Sequence, residues 1–441
     1  MNIKFYKQIL NSKIDSKTKG INEINKIKIK DIPKKKWNIL KDNVQFPILT
    51  MKESVFKKNI KAMNNFANYN GVSLAPHCKT SMCPQILKKL NDLNYWGFSV
   101  ANNQQLSMLL EMGIKKIIIA NLITNKSNII NLFKLIEKYG YAKKIYLCVD
   151  STFGVNLLKE LSIQYKFKHK LRILIETGFQ NSRNGVRNFN SLNKLTGKII
   201  ELPNNFMFCG ILFYEGAVSE KNYKKTINKV NKFISFSLKA FDYLLKNNFF
   251  SNEELILSGG GSEYFDLITN SFQKYKNIKN VRLIIRPGTF IAYGHGHYLK
   301  SIENIDKRGN LFINKKNIKA KNLFNPSLEL WGYIISKQDS NRAILNFGKR
   351  DVHYDIGYPI PLAIYRKGKL FQKIHLKQNK YQVYKMNDHH AFLYFKNDQD
   401  IRIGDLIKFG VTHPCVTIDK WDFFYMIDEK YNIKEGLKTF F

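Results

Sequence analysis

Residues 71–122 read GVSLAPHCKTSMCPQILKKLNDLNYWGFSVANNQQLSMLLEMGIKKIIIANL. Three short apolar runs, VSLAP (72–76), WGFSVA (96–101) and KIIIANL (116–122), alternate with segments such as PQILKKLNDLN whose apolar residues recur at helical spacing. Strands that are apolar throughout, set between helices, are the pattern of a parallel sheet covered on both faces. The rhythm continues through KIYLCVD (144–150), LRILIET (171–177), FCGILFYEG (208–216), LILSGGG (255–261) and VRLIIRPG (281–288), which makes eight runs. Eight strand–helix units in about 220 residues predict an α/β fold built on a (β/α)8 barrel.

After about residue 300 the rhythm changes. SLELWGYIISKQ, RAILNFG, KYQVYKM, AFLYF, DLIKFGVTH and DFFYMID follow one another with turn residues and no long helical pattern between them. This predicts a separate, mostly antiparallel β-domain. The expected organisation is an N-terminal arm or helix over 1–45, the barrel over 46–304, and the β-domain over 305–441.

Composition narrows the function classes. The 441 residues carry 72 Lys plus Arg against 34 Asp plus Glu, a formal charge of +38. A nucleic-acid binder clusters its basic residues and favours Arg, whose planar fork grips phosphate through two bonds. Here only ten of the 72 are Arg, and the lysines lie in every segment beside Asn, Ile, Phe and Tyr. That mixture is the residue usage of an AT-rich coding sequence and predicts no specific nucleic-acid partner. No run of about 18 apolar residues is present, so no membrane-spanning helix is expected. The N-terminal twenty residues lack the apolar stretch of a secretory signal, and five scattered cysteines fit a reducing compartment. A cytoplasmic protein is the expectation.

In a barrel the strand C-termini converge on one mouth, where catalysis takes place. Lys79, Asn121, Asp150, Glu176, Tyr214, Ser258, Gly259 and Arg286 all fall just after apolar runs. Three constellations there carry chemistry. Lys79, in Pro76-His77-Cys78-Lys79-Thr80, is placed to form a Schiff base if burial lowers its ammonium pKa. Ser258-Gly259-Gly260-Gly261-Ser262 follows the seventh strand, a frequent phosphate position in barrels, where glycine lets backbone N–H groups approach closely. A Schiff-base lysine and a phosphate cup at one mouth together indicate pyridoxal 5'-phosphate. Third, His413 and Cys415 flank Pro414 in the β-domain. In an extended run they share a face and would ligate one borderline metal, Zn2+ or another divalent ion, leaving positions open for substrate. Asp388-His389-His390 and His295-Gly296-His297 are competing metal candidates.

Several of these motifs, in order, are recognisable. GVSLAPHCKTSMCPQILKKL, ETGFQNSRNGV, FYEG, LSGGGSEYFD, RPGTFIAYGHGHY, GKRDVHYDIGYPIPL and THPCVTIDKW span roughly residues 46–430. The chain resembles the D-serine dehydratase and D-threonine aldolase family, with its alanine-racemase-like barrel, and is most similar to the bacterial D-serine-dehydratase-like amino acid deaminases. The resemblance implies that Lys79 carries the cofactor and Arg183 contacts its ring. It implies that Tyr214, Ser258, Gly259, Gly260 and Gly261 surround its phosphate, and that His413 and Cys415 hold zinc. It further implies a homodimer and loss of water from D-serine or a related D-3-hydroxy amino acid, giving a keto acid and ammonia. Retro-aldol cleavage to glycine and an aldehyde is the alternative, and racemisation is a further one. From a different class, a non-enzymatic cofactor- or polyanion-binding protein stays open. One departure stands out: the chain has Phe290 and Gly294 where relatives carry a tyrosine and an aspartate.

Overall fold

All eight apolar runs form strands: β1 (Ser73–Leu74), β2 (Phe98–Val100), β3 (Lys116–Leu122), β4 (Lys144–Val149), β5 (Leu171–Thr177), β6 (Phe206–Phe213), β7 (Leu255–Gly259) and β8 (Val281–Ile285). They come from a computed structural model that describes residues 2–220, 222–251, 253–375, 380–397 and 400–441. The strands pair in parallel in the order β1-β8-β7-β6-β5-β4-β3-β2. A parallel bridge between His77 and Ser99, with the Ser99 amide donating to the Pro76 carbonyl at 3.0 Å, closes the ring. The (β/α)8 barrel is therefore present.

Helices follow each strand, and the chain's abundant asparagine starts several of them. Asn102, Asn125, Asn188 and Asn222 each accept a first-turn amide proton through their side chains, as Ser151 does. These caps satisfy donors that a helix N-terminus otherwise leaves unpaired. Inside the barrel, Ala75, Ile118, Tyr146, Cys148, Leu174, Leu212 and Ile284 form a filled core, so the barrel is not a pore. All five cysteines are free and buried.

The second sheet has ten strands, with Leu328–Asp339 at its centre pairing antiparallel with Leu406–Gly410, Arg342–Leu345 and Ile48–Lys52. That last strand corrects the expected boundaries, because Ile48–Lys52 lies inside the stretch assigned to the barrel. It also pairs in parallel with Phe423–Ile427. The N-terminal stretch packs on this sheet too: Ile21, Ile29, Ile32, Trp37 and Ile39 share one core with Trp331, Phe423 and Tyr425. The reason is length. Ile48–Lys52 is too short to be told from a barrel strand by pattern, and a distant partner fixes its place. No described helix is long and apolar enough to cross a membrane.

Candidate active site

The barrel mouth opens into a cavity of about 610 Å³, walled by strand ends of the barrel and by the 413–419 segment of the β-domain. Lys79 lines it from the short 3-10 turn Cys78–Thr80. The His77 ring accepts the Lys79 amide proton at Nδ1, 3.2 Å away, and so shapes this turn. Burial, then the charges of Lys79, Arg286 and Arg183, push the His77 imidazole well below its ordinary pKa. Lys79 itself is exposed at the mouth.

Arg183 reaches the same cavity from the loop after β5, its guanidinium 5.1 Å from the centre of the Tyr214 ring. Burial and the nearby carboxylates of Glu215 and Glu263 push the Tyr214 phenol up to about 12. Arg286, at the end of β8, is buried. It donates to the Ser258 hydroxyl and, at 2.8 Å, to the Phe213 carbonyl. Glu176 at the end of β5 also lines the cavity; burial raises its pKa against the opposing bond from Asn184 and the charge of Arg183.

The glycine run is arranged differently from the expectation. Gly261 and Ser262 line the cavity, whereas Ser258, Gly259 and Gly260 lie behind its wall. The Ser258 hydroxyl donates to the Ile284 carbonyl at 3.1 Å. The amides of Gly260 and Gly261 donate to the buried Glu215 carboxylate at 3.2 and 2.6 Å. Two of the amides expected to cup a phosphate are thus held by a carboxylate of the chain itself. Gly260 has φ +78°, a conformation that favours glycine.

His413 and Cys415 do come together, but not on an extended run. His413 stands at the N-cap position of a short helix, Pro414–Ile418, without a side-chain capping bond, and Pro414 lies in its first turn. Proline's fixed φ suits that position, and His413 before it has φ −125° and ψ 90°. The two residues line the same cavity, and each shifts the other's pKa. Cys415 Sγ also lies 3.4 Å from Thr80 Oγ1 and 3.6 Å from Thr289 Oγ1, which ties the β-domain to the barrel beside Lys79. Burial pushes the thiol up, but the bonds from His413, Thr80 and Thr289 and the charge of Lys79 outweigh it and lower the pKa. Burial lowers His413, and its bonds to Cys415 and Asp355 more than reverse that. Asp355, which the sequence did not mark as a site residue, faces His413 Nδ1 at 2.8 and 2.9 Å. His353 Nδ1 lies 2.7 Å from the same carboxylate.

The competing histidines separate. His295 is buried with its ring packed over Gly410, while His297 stands on the rim, paired with Glu263 at 2.5 Å. Asp388, His389 and His390 form an exposed turn. The departure at Gly294 has a steric explanation: a Cβ there would sit 2.6 Å from the Thr412 carbonyl and 2.8 Å from Pro414 Cδ. The His413 loop occupies the space that a side chain would need. Phe290 is fully buried.

Residues 327–427 match the family described as a putative serine dehydratase domain, a stretch that includes His353, Asp355, His413 and Cys415. A D-threonine aldolase from Arthrobacter sp. is 23% identical over 223 residues, covering 51% of this chain and 57% of that enzyme. The resemblance is borne out. The chain thus spans little more than half the length of this curated relative. The fold is shared with the crystal structure of D-threonine aldolase from Filomicrobium marinum, at TM-score 0.71 and 17% identity, covering 92% of this chain and 97% of that one. D-threo-3-hydroxyaspartate dehydratase from a Delftia species superposes at TM-score 0.68 and 14% identity, covering 91% and 98%. Alanine racemase from Clostridium difficile 630 superposes at 0.56 and 14%, covering 89% and 98%.

Proposed function

We propose that the chain is a lyase that uses pyridoxal 5'-phosphate and a divalent metal, zinc first among them, to eliminate water from D-serine or a related D-3-hydroxy amino acid. The observation that carries this reading is convergence: Lys79, Arg183, Tyr214, His413 and Cys415 come from two domains and line one cavity. The donor chemistry suits the cofactor. Three cations, Lys79, Arg183 and Arg286, line a pocket of the right size for an anionic ring compound. Bound there, the cofactor supplies an electron sink for the bonds at the substrate Cα. Ser262 and Tyr214, beside the wall formed by Gly261, are the residues placed to meet its phosphate, and Arg183 its ring. Glu215 then acts as a strut that shapes the glycine loop from behind. The Lys79 amine, exposed at the mouth, is placed to take the α-proton.

His413 and Cys415 suit a soft or borderline ion, because the thiol is already inclined to ionise and the histidine has a carboxylate partner. A metal there would supply Lewis-acid polarisation of the substrate's β-hydroxyl. Thr80 and Thr289 fix the sulfur on the side that faces Lys79. Among the similar structures is a metal-free cysteine-to-alanine variant of D-threo-3-hydroxyaspartate dehydratase, and a histidine-to-alanine variant of the same enzyme altered two positions earlier in its chain. That spacing matches His413 and Cys415.

D-threonine aldolase chemistry is the second reading, favoured by the aldolase relatives. The test is incubation of metal-replete protein with D- and L-serine and D- and L-threonine, measuring keto acid, glycine and aldehyde. Keto acid from D-serine supports the dehydratase, and glycine plus acetaldehyde from D-threonine without keto acid replaces it by the aldolase. Chelation should abolish turnover of D-serine, and should slow β-chloro-D-alanine less, because chloride leaves without help. The homodimer implied by the resemblance belongs to this proposal and is tested by the solution mass.

A further inference from the structure

Asp355 stands outside the catalytic cavity and yet touches the residue that reaches into it. Its carboxylate meets His413 Nδ1 at 2.8 and 2.9 Å and His353 Nδ1 at 2.7 Å. A ring nitrogen that donates its proton to a carboxylate cannot also give a lone pair to a metal. The Asp355 contact therefore leaves Nε2 as the coordinating nitrogen of His413. Cys415, two residues on, lines the same cavity as His413.

Resting on the metal reading above, we propose that Asp355 is the positioning residue of the metal centre. It holds His413 in the Nδ1–H form, aims Nε2 toward Cys415, and makes the imidazole a stronger donor. His353, bonded to the same carboxylate, keeps it from turning away. Carboxylate–histidine–metal arrangements of this kind fix ring orientation and strengthen the ligand.

The same atoms allow one rival. Single donor atoms of His353, Asp355 and His413 all lie within 4.8 Å of one another, close enough to ligate an ion directly. Two observations favour the positioning role. His413 and Cys415 line the cavity with Lys79, whereas neither His353 nor Asp355 does, so an ion held directly by Asp355 would sit away from the lysine. Direct ligation would also engage His413 through Nδ1 and leave Cys415 out, since the thiol does not belong to that group.

The experiment is a Co2+ titration of chelator-treated protein followed by absorption, in wild type, Asp355→Asn, Asp355→Ala and His353→Gln, with circular dichroism to confirm folding. Wild type should show a thiolate-to-cobalt charge-transfer band. Asp355→Asn should bind about 10- to 100-fold more weakly, with the wild-type spectrum at saturation. His353→Gln should lose less. Wild-type affinity in both Asp355 variants overturns the proposal, and so does a saturated Asp355→Asn spectrum showing changed coordination, which would make Asp355 a ligand. Should the variants not fold, nitrogen-15 NMR of histidine-labelled, zinc-loaded wild type decides: a protonated His413 Nδ1 supports the proposal and a metallated one refutes it. Absence of the charge-transfer band in wild type itself would instead remove the Cys415 metal reading, and this inference with it.

Discussion

Gly294→Ala tests how tightly the His413 loop is seated against the barrel. The added Cβ would lie 2.6 Å from the Thr412 carbonyl oxygen, 2.8 Å from Pro414 Cδ and 3.0 Å from the Val411 carbonyl oxygen. Ordinary contact begins near 3.4 Å, so the loop has to retreat by about 0.8 Å at its nearest point. Two of the three obstructing atoms are backbone, so no rotamer change relieves the clash. Overpacking of this kind costs about 1–3 kcal/mol, and displacement of the loop carries His413 with it. Site geometry tolerates only about 0.5 Å of error, so metal affinity should fall together with stability. The assay is thermal unfolding alongside Co2+ titration. Gly197→Ala is the control: nothing lies within 4 Å of its added Cβ, it sits inside the helix Phe189–Ile200, and it should stabilise by about 0.5–1 kcal/mol. A Gly294→Ala protein that melts and binds cobalt like wild type would refute the steric account and leave the glycine unexplained.

Lys79→Ala should lose both the visible absorbance of bound cofactor and all turnover; borohydride labelling that maps to another lysine would defeat the assignment. Arg286→Lys should destabilise the mouth by about 1.5–3 kcal/mol, because one ammonium cannot replace two directed bonds to Ser258 and the Phe213 carbonyl, and an unchanged melting temperature would contradict this. His295 predicts a pH dependence: burial, then Lys408, push it down to about 4. The unfolded chain, with an ordinary imidazole near 6.5, binds more protons between those values. Stability should therefore fall as pH drops from about 6.5 towards 4, by about 3 kcal/mol at most from this group. His295→Phe should flatten that slope, and an equal slope in the variant would assign the effect elsewhere.

The eight barrel strands were legible because most of their residues are buried, and a run apolar almost throughout carries its own signal. The places of Lys79 and Tyr214 in the cavity wall were legible for a related reason. A strand end in a barrel has one destination, the mouth, whereas Arg183, in a loop beyond its strand, was expected only from the family resemblance. His413 and Cys415 were found by spacing, although the local conformation behind that spacing is a short helical turn and not an extended run.

What the sequence could not show depends on contacts between distant segments. Ile48–Lys52 joins the second sheet because Leu328–Asp339 and Phe423–Ile427 offer it two edges, and nothing within five residues encodes that choice. Glu215 occupies the glycine amides because the β6 end and the β7 loop meet across the barrel rim. Asp355 becomes the partner of His413 across 58 positions, and the cavity itself exists only where the β-domain closes over the barrel. Periodicity is a property of neighbours in the chain and fixes each element's buried face. The partners of a polar side chain are neighbours in space, and only the packed structure decides them.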